Sequence, residues 1–231
     1  MKKEKVSSLF AVLCVIFVTT LLLSNLIAGK IFSVFGVTLP AAVILFPITY
    51  IFGDVFTEVY GFRKAKLVIW LGFACNLFAV LVYMITIALP APVFWENQEA
   101  YRTVLGMTPR VLLASFTGYL FGGFSNSIIL SKLKVRMKGK KLWVRTISST
   151  IVGEALDTVI FISISFIGTM DFKVLLQMML FQYLWKVLYE VVLTPLTYWT
   201  VGKLKKYEGE DVYDTEISHS PFAQRTLKDK Q

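Results

Sequence analysis

Apolar residues run along this chain in blocks too long for the core helices of a soluble domain, and the polar positions within them recur at helical spacing. Blocks near residues 8–28, 39–60, 67–89, 110–130, 145–168 and 173–201 each approach or exceed the roughly 20 residues that a helix needs to cross a ~30 Å hydrocarbon layer. The pattern predicts an all-α integral membrane protein: a six-transmembrane-helix bundle over residues 1–206, then a polar tail at 207–231 that reads as disordered and dispensable. A turn with Gly36 and Pro40 separates the first two blocks. Residues 89–110 form the longest loop on the non-cytoplasmic side, with Trp95 and Tyr101 as interfacial anchors. The first block follows Lys2, Lys3 and Lys5, a prefix that a cleaved signal also carries. Its apolar stretch is about twice a signal's usual core and leads directly toward another block, so it is read as a retained span.

Composition agrees with this pattern, since 56% of the 231 residues are hydrophobic and the mean hydropathy is +0.66. Cys14 and Cys75 are the only cysteines, both within apolar blocks and without CxxC spacing, which excludes a disulfide framework and a zinc site. A net charge of +9 suits nucleic acid at first sight, but the topology absorbs it. If the six blocks alternate in direction, 19 of the 24 basic residues fall on one side and four on the other, with Lys186 inside a block. The positive-inside rule then places both termini in the cytoplasm, and anionic headgroups rather than nucleic acid are the expected partners of the surface charge.

Two dipeptides echo at offsets near 100: Ser24-Asn25 with Ser125-Asn126, and Gly53-Asp54 with Gly153-Glu154. Three-plus-three halves of this kind insert in opposite orientation and place a binding site where they meet.

The intramembrane charges carry the chemistry. Asp54 and Glu58 lie at i, i+4 in the second block with Tyr50 a turn earlier; Thr150, Glu154 and Asp157 share an arc in the fifth; Gln182, Lys186 and Glu190 follow at i+4 steps in the sixth. A charge at the bilayer centre costs ~2.5–3.5 kcal/mol on insertion scales, so these stripes must face the bundle interior. Five acids against one lysine leave a formal surplus of four negative charges, or three if Glu58 is solvated beside Arg63. Helix-to-helix glue accounts for any one of these residues, but not for the surplus. An unpaired carboxylate there protonates, binds a cation or accepts hydrogen bonds from a ligand, and each outcome implies a polar cavity. A carboxylate suits the paired donors of a guanine-like edge, an amide or ammonium such as Gln182 or Lys186 can donate to a ring carbonyl, and aromatics such as Phe46 and Tyr50 offer stacking surface. The residues alone lead to a small, planar, donor-rich or cationic solute. No cofactor and no catalytic group is implied: the single histidine, His219, lies in the tail, and no GxxxxGK[ST] sequence is present for self-energising with ATP.

The runs "FPITYIFGDVFTEVYG", "ASFTGYLFGGFSNS", "SSTIVGEALDTVIFISISFIG" and "QYLWKVLYEVVLTP", with "SN" closing the first block, resemble the queuosine precursor transporters, formerly called vitamin uptake transporters, over residues 8–203. The resemblance implies a bacterial inner-membrane importer of 7-deazaguanine bases (7-cyano- or 7-aminomethyl-7-deazaguanine, or queuine) salvaged for tRNA modification. It carries the family's polar positions onto Asn25, Asp54, Glu58, Asn126, Glu154, Asp157 and Lys186, beside Phe46, Tyr50 and Gln182 from the residue reading. In this reading Glu154 or Asp157 clamps the guanine-like edge, Asp54 receives an aminomethyl group, and Lys186 holds the remaining charge. A secondary or facilitative carrier is favoured. The alternatives are a substrate-capture subunit with a separate energising partner, an intramembrane carboxylate enzyme and a cation channel; a homodimer is left open.

Overall fold

The computed structural model describes residues 7–209 and 211–214. The chain there is helical apart from one β-hairpin. Helix α1 (Ser8–Ile27) begins where the Ser7 hydroxyl accepts the Phe10 amide at 3.0 Å. It buries Phe10, Cys14, Phe17 and Leu21 at three- and four-residue steps and leaves Val12, Val15, Ile16 and Leu23 exposed. A helix apolar on both its buried and its outer face belongs in lipid.

The expected plain turn after α1 is a hairpin of β1 (Ile31–Val34) and β2 (Val37–Pro40). Phe35 and Gly36 turn it with φ of 51° and 78°, the geometry of a two-residue primed turn. A 3₁₀ turn, Ala41–Ile44, leads into α2 (Phe46–Val55), which continues as a π-helical stretch, Phe56–Tyr60. At Gly61 the backbone leaves the helical region (φ 81°, ψ 165°) and restarts as α3 (Gly61–Ala88). Then follow α4 (Gln98–Gly106), α5 (Thr108–Arg136), α6 (Leu142–Phe166) and α7 (Phe172–Glu208). Asp171 caps α7 and Gly209, at φ 64°, ends it. Pro195 inside α7 removes the amide that would otherwise reach the carbonyl of Val191.

Among the described residues four helical stretches are long and apolar enough to cross a membrane: Ser8–Ile27, Ala41–Ala88, Gln98–Arg136 and Leu142–Phe166. The blocks expected at 39–60 and 67–89 are parts of the second, interrupted at Gly61. Helix α7 is longer than two of these, but its polar stripe lowers its apolar content.

Side-chain bonds tie the element ends together. Glu208 accepts from Ser7 Oγ at 2.7 Å and from Tyr60 Oη at 3.1 Å, joining the start of α1, the end of the π-helix and the end of α7. Elsewhere Arg110 of α5 donates to the carbonyls of Ile164 and Ile167 at 2.6 and 2.5 Å, satisfying the C-terminal end of α6. Helices α5 and α6 make the closest helix pair in the bundle, through Gly118, Gly122 and Gly153.

Residues 211–214 of the polar tail dock on the bundle; residues 215–231, with His219, lie outside the described residues. Asp211 Oδ1 bridges Lys134 and Lys205 at 2.7 and 2.9 Å. Burial raises its carboxyl, but hydrogen bonds and charge from the two lysines outweigh burial and hold it below its ordinary value of 3.8. A depressed native pKa contributes stability that is complete above the ordinary value and is lost as pH falls through the native one. Docking is therefore expected to be flat over about pH 5–8 and to weaken only below about pH 4, as hydrogen exchange at the Phe62 amide would measure after correction for intrinsic rate.

Candidate functional site

Two separate buried ionic clusters organise the bundle. The first centres on Lys186 of α7, which is 1% exposed. Its ammonium donates to Asp157 Oδ2 at 2.6 Å and lies 2.7 Å from Glu154 Oε2, an ion-pair contact without hydrogen-bond alignment. It also sits 5.4 Å from the ring centroids of both Phe46 and Tyr50, within cation–π range. The two aromatics expected to stack on a solute thus already form walls around Lys186, with Phe46 braced edge-on against Phe161 at 5.1 Å.

Asp54 of α2 accepts from Asn126 Nδ2 of α5 at 2.6 Å, while its second oxygen has no hydrogen-bond partner. Glu190, one turn beyond Lys186, interacts electrostatically with Asp54 and Glu154 and keeps Oε1 unpartnered. Gln182, one turn before Lys186, is 0% exposed, and both its amide atoms lack partners among the described residues. Asn126 Oδ1 and the hydroxyls of Thr150 and Thr158 are in the same condition. The Tyr50 hydroxyl faces Asp157 without meeting hydrogen-bond geometry. Each buried polar atom left unsatisfied costs ~1–3 kcal/mol, and such atoms in folded proteins nearly always find a protein or water partner.

Asp54, Glu154, Asp157 and Glu190, four carboxylates against the one ammonium of Lys186, leave a surplus of three negative charges. The arrangement can take up protons, a cation, water or a ligand rich in donors.

The second cluster corrects the reading of Glu58. Instead of being solvated beside Arg63, Glu58 is 1% exposed and fully matched. The Arg145 guanidinium forks across both carboxylate oxygens, with Nη2 to Oε1 at 3.2 Å and a closer contact from Nη1 to Oε2. Lys205 Nζ lies 2.7 Å and Lys134 Nζ 3.8 Å from Oε1. Arg145 spends its other donors on the carbonyls of Gly139 and Lys140, both at 3.1 Å. Paired and hydrogen-bonded on every side, Glu58 is an anchor between elements rather than a group open to a solute. One helical turn is enough to separate it from Asp54, because each residue advances ~1.5 Å along the axis and the π-helix alters the angular phase after Val55.

Asn25 has its own partner. Its Nδ2 donates to Asn76 Oδ1 at 2.7 Å, and Asn76 donates to the Gly72 carbonyl at 2.9 Å, so this amide joins α1 to α3 and is not bonded to the acids.

Three side chains at these clusters were not expected from the sequence. Tyr119 lies against Tyr50 with centroids 5.4 Å apart and interacts electrostatically with Asp157, Asp54 and Glu154. It precedes Asn126 by seven residues, two turns along one helix face, which is the signal that would have found it. Lys134 and Arg145 read as loop charges, yet α5 extends to Arg136 and α6 begins at Leu142, so both are helical and buried.

Residues 40–200, more than half of the chain, match the family described as "Putative vitamin uptake transporter". A "Probable queuosine precursor transporter" of Bacillus subtilis (strain 168) is 28% identical over 177 residues, covering 76% of this chain and 77% of that protein. No solved structure matches.

Proposed function

Because the chain belongs to the vitamin uptake transporter family, we propose that it is a six-span carrier importing a 7-deazaguanine queuosine precursor across the bacterial inner membrane. The Bacillus subtilis relative's name supports the substrate class. Like the family it belongs to, the chain is a transporter rather than an enzyme. The observation that carries the reading is the gathering of partnerless buried polar atoms around an anionic centre: Asp54 Oδ2, Glu190 Oε1, Asn126 Oδ1 and both ends of the Gln182 amide. A guanine-like edge presents an N1–H and an exocyclic amine side by side to a carboxylate, and its carbonyl accepts from an amide.

Lys186 already engages one oxygen each of Glu154 and Asp157, which moves the edge-clamping role from that pair toward Asp54 and Glu190. Gln182 reads the carbonyl, and the surplus negative charge receives an aminomethyl ammonium. The one-sided distribution of basic residues supports six passes with both termini cytoplasmic, and the contacts joining Ser7, Tyr60 and Glu208 support placing those element ends on one side. The Asp54–Asn126 bond joins the two sequence halves, which supports placing the site where inverted three-plus-three halves would meet.

Uptake of labelled 7-aminomethyl-7-deazaguanine into proteoliposomes holding only this protein tests the proposal. Accumulation without ATP supports the carrier, and dependence on an added ATPase would establish the capture-subunit alternative. Asp54→Asn should lower uptake by about 10-fold or more, since a hydrogen bond to a charged group is worth ~1.5–3 kcal/mol, and Glu154→Gln and Asp157→Asn should lower it as well by loosening the hold on Lys186. Unchanged uptake in all three would remove the site.

A further inference from the structure

We propose that residues 211–214 are a strap that holds the Glu58 end of the bundle closed, so that the carrier opens there only after the strap undocks. The inference rests on the transporter reading above and adds a device that the polar tail itself supplies.

The strap touches four elements, α5, α7, the π-helix and the start of α3, whose ends would have to move apart for that end to open. Asp211 is bound to Lys134 of α5 and Lys205 of α7. The Val212 amide donates to the Val59 carbonyl of the π-helix at 3.4 Å, and its own carbonyl accepts from Lys134 Nζ at 2.6 Å. The Tyr213 ring lies 4.6 Å from the Lys134 ammonium. Asp214 Oδ2 accepts from the Phe62 amide at 3.0 Å and from Ser131 Oγ at 2.7 Å.

The Asp214 contact replaces something the local sequence lacks. Helix α3 begins after Tyr60, which gives no side-chain cap. Asp214, 152 residues further along the chain than Phe62, provides the carboxylate cap and favours the positive end of the helix. Gly61 lets the strap approach: a Cβ there would lie 2.7 Å from Val212 Cγ1 and 3.1 Å from Asp214 Oδ1.

Charge links the strap to the ion cluster beneath it. Lys134 and Lys205 are shared between Glu58 and Asp211, so two carboxylates face three cations including Arg145, leaving one positive charge in excess. Without Asp211, Glu58 alone faces those three cations, and their repulsion favours separation of the α5, α6 and α7 ends. Because α7 ends at Glu208 and Asp211 follows so closely, any shift of α7 pulls directly on the strap.

The test uses thiol accessibility. Ser127 of α5, 2% exposed and one turn inside Ser131, is changed to Cys in a background with Cys14 and Cys75 replaced by Ala. A membrane-impermeant maleimide is added to inside-out vesicles. Ending the chain after Gly209, or combining Asp211→Asn with Asp214→Asn, is expected to speed labelling ~5-fold or more, the scale of a typical coupling between sites. A synthetic peptide of residues 209–231 should slow labelling of the truncated protein again. Wild-type labelling rates in both variants, with unchanged thermal unfolding in detergent, overturn the proposal; should truncation impair folding, Asp214→Asn alone decides by the same rate. Labelling requires no substrate, so absence of base uptake by the same vesicles would count against the carrier reading and leave the strap result standing.

Discussion

Lys186→Met is expected to destabilise the protein more than any other single exchange of a polar side chain, by ~3–5 kcal/mol, the usual cost of deleting one partner of a buried ion pair. Among the described residues the ammonium is the sole cation paired with Asp157 and Glu154, and it has aromatic faces on two further sides. Methionine fills much of the volume but leaves four carboxylates together with no positive charge. Thermal unfolding in detergent should show the loss, and adding Asp157→Asn to Lys186→Met should restore part of it by removing one of the stranded charges. If the single variant unfolds at the wild-type temperature, the carboxylates are not held by this ammonium. The same substitution should also abolish uptake, because the cluster cannot keep its geometry.

Gly122→Leu is expected to be comparably damaging for a steric reason. A Cβ at Gly122 would lie 2.5 Å from the Gly153 carbonyl oxygen, 2.6 Å from Asp157 Cβ and 2.9 Å from the Asp157 amide nitrogen. Two of these atoms are backbone of α6 and cannot rotate away, so the helices must part. Overpacking a close contact costs ~1–3 kcal/mol even for small additions, and Leu adds three carbons beyond the first. The separation also moves Tyr119 and Asn126 of α5 away from Glu154 and Asp157 of α6, so binding should fail along with stability. Gly202 is the control: a Cβ there meets nothing within 4 Å, and Gly202→Ala in the interior of α7 should be neutral or stabilising by ~0.5–1 kcal/mol. Helix propensity favours both substitutions, so equal losses at both positions would mean that close approach does not single out the α5–α6 pair.

The sequence was most legible where one residue's physics is decisive. A carboxylate in an apolar block has to face inward, and Asp54, Glu154, Asp157 and Glu190 are all buried together with the lysine four residues before Glu190. Their surplus of three charges is the smaller of the two numbers read from the chain, four or three with Glu58 set aside, and Glu58 is set aside for a different reason: it is paired with Arg145, not solvated. Pairing across 87 residues leaves no periodic trace, and a basic stretch such as 132–145 reads as a loop until the ends of α5 and α6 are known. The π-helix was hidden for the same reason, since one widened turn changes nothing in the apolar pattern. Asn25 looked like an echo of Asn126, but α3 offers Asn76 as a nearer partner. The tail's acidity marked it as polar; only the neighbouring positive charges of Lys134 and Lys205 and the uncapped start of α3 give Asp211 and Asp214 their places.

The central claim is that the unpartnered polar atoms around Asp54, Gln182 and Glu190 receive a guanine-like base. Equilibrium binding of labelled 7-aminomethyl-7-deazaguanine to purified protein in detergent tests it most directly. Saturable binding that 7-cyano-7-deazaguanine displaces and adenine does not, weakened ~10-fold or more by Asp54→Asn and by Gln182→Met, is the predicted result. Binding of unchanged affinity in both variants would contradict it.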